Sequence, residues 1–473
     1  MTRGTDPRDQ PALQGIAAHY EAGRLDEADA AAIAFLSQGL PRERELPALL
    51  WRGFIADRRG DTAAARDFFE AARQIDRRNP QLLAQLGALH DRMGDSAKAE
   101  SCYREALRQE PRLPIAHYNL GVVLQRKRDF AGARRAYEAA VLHEPQLHPA
   151  WLNLGNVFRD LKDDASAKDC YRRALEIEPR FALAHHALGV LAQVHRQSDA
   201  AIACFRAALA SDPTHLESWL DLAETLHRIG DKPGAMAALE EAAQFHPGHA
   251  TLEFKRAVLA GEQAAAMPDA VVEKIFDGLA GEFDAHLVGR LGYAIPAQLR
   301  AMLADWLAAR RKVSVLDLGC GTGLFGLEVV AYASRLVGID LSARMVEQSR
   351  QRNVYSELHA MSIDSYLSSH ADRFDLIVAT DVLVYVGALE ALFASVCAHL
   401  APGGRFAFST ESPASLAEGF VLLPTGRYAH SAAYVQSLAQ ANGLKVVAQD
   451  PAIIRTEANV PIDGFVFVLE RGE

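Results

Sequence analysis

Five cysteines are spread over 473 residues with no C-x-x-C pair, which excludes a zinc framework and a dithiol motif of the usual spacing. H-E-x-x-H is also missing. The adjacent histidines His185 and His186 point in different directions on a helix, so no metal site is expected. Positive charge is in short supply. Fifty Lys and Arg face 60 Asp and Glu, for a formal net charge of −10. That argues against general binding to a nucleic-acid backbone, although a local basic patch stays open. No apolar run approaches the ~20 residues of a membrane-spanning helix. The N-terminus, MTRGTDPRDQPALQG, lacks the apolar core of a secretory signal, so a cytoplasmic location is expected. What is present is an ordinary globular composition, 49% hydrophobic and 23% charged, long enough for several domains.

Three of the cysteines mark a repeat. Cys170 and Cys204 are 34 residues apart, and Cys102 precedes Cys170 by twice that spacing. On this period four copies align, beginning with LGALHDRMGDSAKAESCYREALRQEP. Gly87, Gly121, Gly155 and Gly189 recur in register. So do the aromatics Tyr103, Tyr137, Tyr171 and Phe205, each flanked by fixed alanines, and a closing proline. Small residues let antiparallel helices approach, the aromatic fills the gap, and proline ends the second helix. Degenerate copies surround Gly23, Gly53 and Trp219. The pattern resembles the tetratricopeptide repeat. It predicts a disordered stretch at 1–10, a helical solenoid over 11–250, a capping helix and linker at 251–270, and a further domain over 271–473. The resemblance implies a groove for a peptide or protein partner. Asn119 and Asn153 share one repeat position, where an amide can donate to and accept from an extended backbone. The alternative is a solvated polar face. The three cysteines are expected to be half-buried helix residues without redox function.

The chain then changes character. Strand patterns at 313–318, 335–340, 355–360, 374–380, 404–410, 444–450 and 464–470 are mostly separated by helical segments. An open, mainly parallel sheet of seven strands follows, its last two forming an antiparallel edge hairpin. The fold class is therefore α plus α/β. The loop in VLDLGCGTGLFG, residues 315–326, carries two overlapping glycine patterns between the first strand and the first helix. Asp340 ends the second strand and can accept from two ribose hydroxyls. These features serve a nicotinamide dinucleotide and S-adenosylmethionine (SAM) equally. Asp317, inside the first strand, favours a ligand with an ammonium group and no diphosphate. The Pro-Gly-Gly turn in HLAPGGRFAFST and the edge hairpin point the same way.

Together these motifs resemble class I SAM-dependent methyltransferases, a Rossmann-like fold. IFDGLAGEFDAHLVGRLGYAIP, TDVLVYVGALEALF and GRYAHSAAYV are similar to a bacterial group of predicted tetratricopeptide-repeat methyltransferases. The resemblance implies that SAM is held by Asp317, Gly319, Cys320, Gly321, Gly323, Asp340, Leu341, Met345, Ser362 and Ile363, with no metal. Many relatives carry an acid after the third strand, but register puts Ser362 there and leaves Asp364 unassigned. No [D/N]-P-P-[Y/F] motif follows the fourth strand, which disfavours the base and glutamine-amide methylation that uses it. Asp381, Tyr385 and His430 are the candidate catalytic residues, His430 being alternatively a helix cap. Arg427, Tyr428, Arg455 and Tyr293 are candidate acceptor contacts. The two arginines would suit a carboxylate acceptor, hence O-methylation, unless they pair with Glu411 and Glu457. Phe283, Tyr293 and Pro296 are candidate lid residues, or simply helix packing. Three functions stay open: a methyltransferase acting on a peptide, protein or carrier-borne acceptor recruited by the repeats; an adaptor that binds SAM without catalysis; and a small-molecule methyltransferase whose repeats bind a partner or drive oligomerisation.

Overall fold

The computed structural model describes residues 7–264, 266–280, 283–284, 287, 291–310, 312–457 and 460–472. It separates into two compact units, Met1–Asp231 and Lys232–Glu473.

The first unit consists of helical hairpins, from Gln10–Glu21 to Leu216–Arg228. Their starts and stops repeat with the sequence. Asp61, Asp95, Asp129 and Asp163 each cap a second helix, accepting a hydrogen bond from the backbone N–H three residues on. The residue ending the turn inside each hairpin is left-handed: Gly23, Gly60, Gly94, Arg128, Lys162 and Arg196, as is Gly230 after Leu216–Arg228. Each aromatic is a lid over its own glycine. A Cβ on Gly121 would lie 2.6 Å from the Tyr137 ring, and one on Gly87 would lie 2.7 Å from the Tyr103 ring. Ala99, Ala133, Ala167 and Ala201 are fully buried, as close helix approach requires. The cysteines stay reduced and half-buried or buried, and burial raises the thiols of Cys102, Cys170 and Cys204.

The helices Lys232–Phe245 and Ala250–Ala260 group with the second unit. There Phe254 packs with Met267, Tyr385, Leu422 and Tyr428. Gln263 accepts a hydrogen bond from the Leu422 N–H at 3.0 Å.

The sheet of the second unit has nine strands, not the seven expected. They are β1 (Val313–Leu318), β2 (Ala333–Asp340), β3 (Glu357–Ala360), β4 (Phe374–Ala379), β5 (Leu400–Glu411), β6 (Phe420–Leu422), β7 (Tyr428–His430), β8 (Leu444–Glu457) and β9 (Val460–Arg471). The two additional strands, β6 and β7, form a hairpin of three residues each, too short for an alternation signal. β3, β2, β1, β4 and β5 are parallel neighbours in that order. β9 runs antiparallel to both β5 and β8, so the expected edge hairpin is present. β1 and β4 lie side by side at the centre, and the loops after them open at their carboxyl ends. Among the described residues no helix is long and apolar enough to cross a membrane.

Candidate active site

At those carboxyl ends lies a cavity of about 260 Å³. Gly319, Cys320, Gly321, Asp340, Leu341, Ser362 and Ile363 line it, as do Tyr293, Asp381, Tyr385, Arg427 and Arg455. Asp317, Gly323, Met345, Tyr428 and His430 do not.

The two glycine patterns separate by function. Gly319, Gly321 and Gly323 have φ of 68°, 55° and 87°, a region that strains any side chain. A Cβ on Gly319 would strike Val382, so this glycine lets the loop after β1 meet the loop after β4. Gly326 and Gly338 make room for Tyr355, whose ring or hydroxyl would lie 2.6–2.8 Å from an added Cβ. At Gly321 an added Cβ would meet only Phe283, at 3.7 Å. The loop's N–H groups are largely spent inside the protein. Cys320 N–H donates to the Ile339 carbonyl (2.8 Å), Gly321 N–H to Asp340 (2.9 Å) and Gly323 N–H to the Cys320 carbonyl (2.8 Å).

The Asp340 carboxylate accepts one backbone bond on each oxygen, the second from Ser342 N–H at 2.9 Å, leaving a lone pair on each. Burial raises its pKa to about 6 against the pull of these donors. Asp317 sits beneath the wall. It is fully buried, and Tyr355 donates to its Oδ2 at 2.6 Å while Oδ1 has no partner. Burial lifts it to about 7. Asp317 is thus off the cavity wall, with one buried carboxylate oxygen unpartnered. Met345 is buried in the helix that Ser342 caps. Ser362 caps the helix Ile363–Ser369, and Asp364, left without a role above, joins them on the cavity wall. Burial holds the Cys320 thiol well above its ordinary range.

The segment ahead of β1 closes part of the cavity. Val272, Ile275, Phe276 and Leu279 of the helix Asp269–Leu279 line it, with Phe283 and Tyr293. Two aspartates fasten this segment. Asp277 accepts from the Ser342 hydroxyl at 2.5 Å, and Asp284 accepts from the Thr322 hydroxyl at 2.5 Å and pairs with Arg352. Sequence reasoning missed both, because their partners lie 65 and 38 residues away with no shared pattern. Pro296 is buried at the start of the helix Ile295–Met302 and is not on the wall.

On the β4 side, Asp381 has φ 57°, two residues beyond the end of the strand. Its N–H donates to the Ser409 hydroxyl at 2.9 Å, and its Oδ1 accepts from Arg455 at 2.9 Å. Arg455, only 1% exposed, also bonds Glu411 and Glu457. Arg427 pairs with Glu457. The arginines are thus engaged by the glutamates, which removes the basis for expecting a carboxylate acceptor. Burial raises Asp381 to about 6, against the opposing effect of Arg455 and Arg427. Burial likewise pushes the Tyr385 phenol up to about 12, and Tyr293, hydrogen-bonded to Thr380, well above its usual value.

Two candidates are displaced. Tyr428 is fully buried in the apolar cluster around Phe254 and Met267. His430 is fully buried too, its Nε2 on the Gly387 carbonyl at 2.9 Å and its ring stacked on Tyr434. Burial lowers its pKa to about 4. It is not the helix cap either, because Ser431 caps Ala432–Ala441. In the repeat unit, Asn153 donates to the Tyr118 hydroxyl at 3.4 Å, and the Tyr137 hydroxyl donates to Gln125 at 3.0 Å.

Residues 290–449 match a methyltransferase domain family. Residues 85–141, 148–181 and 186–250 match tetratricopeptide repeat families. The chain is a tetratricopeptide-repeat protein joined to a methyltransferase domain. The domain is similar to a ubiquinone biosynthesis O-methyltransferase of Aromatoleum aromaticum, 28% identical over 123 residues, 24% of this chain and 51% of that protein. It is also similar to a ribosomal protein L11 methyltransferase of Chromohalobacter salexigens, 38% identical over 100 residues, 20% of this chain and 32% of that protein. The chain thus spans about half or less of these curated relatives' own length. Among solved structures, a tetratricopeptide repeat protein from Parabacteroides merdae aligns with 18% identity and a TM-score of 0.40, covering 50% of this chain and 92% of that one.

Proposed function

We propose that the methyltransferase domain uses SAM and that the repeat unit recruits a peptide, protein or carrier-borne acceptor to it. One observation carries the cofactor assignment. The N–H groups of Cys320, Gly321 and Gly323 are consumed by the Ile339 carbonyl, Asp340 and the Cys320 carbonyl. A dinucleotide's diphosphate needs such donors free, whereas SAM carries no phosphate. The residues present fit SAM. Asp340 keeps a lone pair on each oxygen for the ribose hydroxyls, Gly321 leaves the wall open, and Ser362 and Ile363 offer backbone to the adenine. Asp317 supports the loop from beneath through Tyr355.

When bound, SAM supplies a methyl group on a good leaving group. The protein's contribution is alignment, which can be worth roughly 7–11 kcal/mol of barrier. Val382 against Gly319 sets the loop after β4, with Asp381 and Tyr385, beside the cofactor loop. The segment of Phe276 and Phe283 shields the space from water. A protein acceptor is in keeping with the relative named for ribosomal protein L11. Calorimetry of the full chain tests the assignment: SAM should bind in the micromolar range and NAD should not. Tighter binding of NAD overturns it. SAM binding without transfer of label to any component of a cell extract would leave the adaptor function instead.

A further inference from the structure

The charges around the cavity do not balance. Among the described residues, its wall carries four carboxylates, Asp269, Asp340, Asp364 and Asp381, against two guanidiniums, Arg427 and Arg455. Both guanidiniums are already engaged from behind by Glu411 and Glu457, which are not on the wall. With Asp340 given to the cofactor's ribose, the wall still carries three carboxylates against two guanidiniums that are already paired, which favours a cation over an anionic acceptor. Asp381 is where this charge meets the reacting space. It lies two residues beyond the end of β4 and precedes Val382, the residue seated on Gly319. Only its Oδ1 is engaged by Arg455. The same wall also carries an apolar set, Val272, Ile275, Phe276, Val382 and Val386.

We infer that the methyl acceptor is a primary amine on an aliphatic stem, held as its ammonium against Asp381. This rests on the SAM-dependent function proposed above. The apolar wall takes the stem and Asp381 takes the head, as an amphipathic side chain or alkylamine requires. Before transfer the ammonium loses one proton to the Asp381 carboxylate. The freed nitrogen lone pair then forms the bond to the methyl carbon while the carbon–sulfur bond breaks. That bonding pair stays on sulfur, so the sulfonium becomes a neutral thioether and the product is a methylammonium.

The test uses the full chain saturated with S-adenosylhomocysteine, with hexylamine and hexanoate as probes followed by calorimetry. Hexylamine is expected to bind at least about tenfold more tightly than hexanoate. Equal affinity, or preference for hexanoate, overturns the inference. Asp381→Asn keeps an oxygen for Arg455. It should weaken hexylamine about tenfold while S-adenosylhomocysteine affinity stays within about twofold. Unchanged hexylamine binding overturns the assignment to Asp381. Wild-type protein is then incubated with methyl-labelled SAM and cell extract. Alkali-stable N-methyl product supports the inference, whether acid-precipitable (a protein amine) or soluble (a small amine). Methanol released by mild alkali, or an O-methyl ether, overturns it. Failure of SAM itself to bind, measured separately, would instead overturn the cofactor assignment and remove the ground for this inference.

Discussion

In the repeat unit one packing solution recurs: Gly53 under Phe69, Gly87 under Tyr103, Gly121 under Tyr137, Gly155 under Tyr171 and Gly189 under Phe205. In the methyltransferase unit the glycines answer to several unrelated contacts. Gly319 admits Val382, Gly321 faces the cavity, and Gly326 and Gly338 admit Tyr355. Both units bury charged groups, Asp9 and Glu100 in the repeats and Asp317, Asp340, Glu411 and Arg455 in the second unit, but the fully enclosed carboxylate Asp317 and the nearly fully enclosed Arg455 belong to the second unit. A repeat array secures stability from many copies of a local contact. A site accepts desolvated charge and left-handed backbone for chemistry, and long-range partners hold them in place.

The sharpest way to test that contrast is to remove the central cation. Arg455→Ala leaves Glu411, 3% exposed, without its ion-pair partner. We expect a loss of about 3–5 kcal/mol, confined to the second unit, by denaturant unfolding with hydrogen exchange as the regional probe. Equal loss of protection in the repeats would break the comparison.

Next in size, Asp340→Ala should weaken SAM binding by roughly 2–4 kcal/mol in calorimetry, because charge-assisted bonds to the ribose disappear and Gly321 N–H loses its partner. Unchanged affinity would revive the dinucleotide alternative.

A repeat glycine should behave oppositely. Gly121→Ala drives a methyl group into Tyr137 and should cost about 1–3 kcal/mol of stability, with SAM affinity untouched. Altered SAM affinity would show that the two units do not divide stability and binding as described.

Asp317→Asn separates stability from function by pH. The folded pKa of Asp317 is raised to about 7, above its unfolded value. The stability this group contributes is therefore full below the unfolded pKa and is lost as pH rises through 7. The Asn variant should accordingly melt higher than wild type at pH 8, by about 1–2 kcal/mol, with the gap closing by pH 5. A gap independent of pH would rule out this cause.

The smallest effect lies in the repeat turns, where Arg128, Lys162 and Arg196 adopt the left-handed conformation that glycine holds at 60, 94 and 230. Lys162→Gly should raise stability by about 0.5 kcal/mol in chemical denaturation, since strain relief slightly exceeds the added chain entropy. A loss of stability would mean that the lysine side chain contributes more than its backbone costs.

The repeats were legible because their contacts recur. A glycine, a capping aspartate and an aromatic returning every 34 residues leave a periodic trace in a single chain. The asparagines were legible in position, which is also periodic, but only the packed helices bring Asn153 to Tyr118.

The strands up to β5, the edge hairpin, the glycine loop and the place of Asp340 likewise follow from strand pattern and local turn chemistry, but the order of the strands does not. The β6–β7 hairpin does not, since three residues carry no alternation. Tertiary structure alone decided which candidate acceptor residues reach the cavity. Asp381, Tyr385, Arg427 and Arg455 do, while neighbouring Tyr428 and His430 turn into apolar packing. It also decided the net charge that an acceptor meets, because Glu411 and Glu457 reach Arg455 and Arg427 across the sheet. Periodicity records contacts made between neighbours in sequence. Ion pairs formed once, between residues tens of positions apart, leave no pattern until the chain has folded.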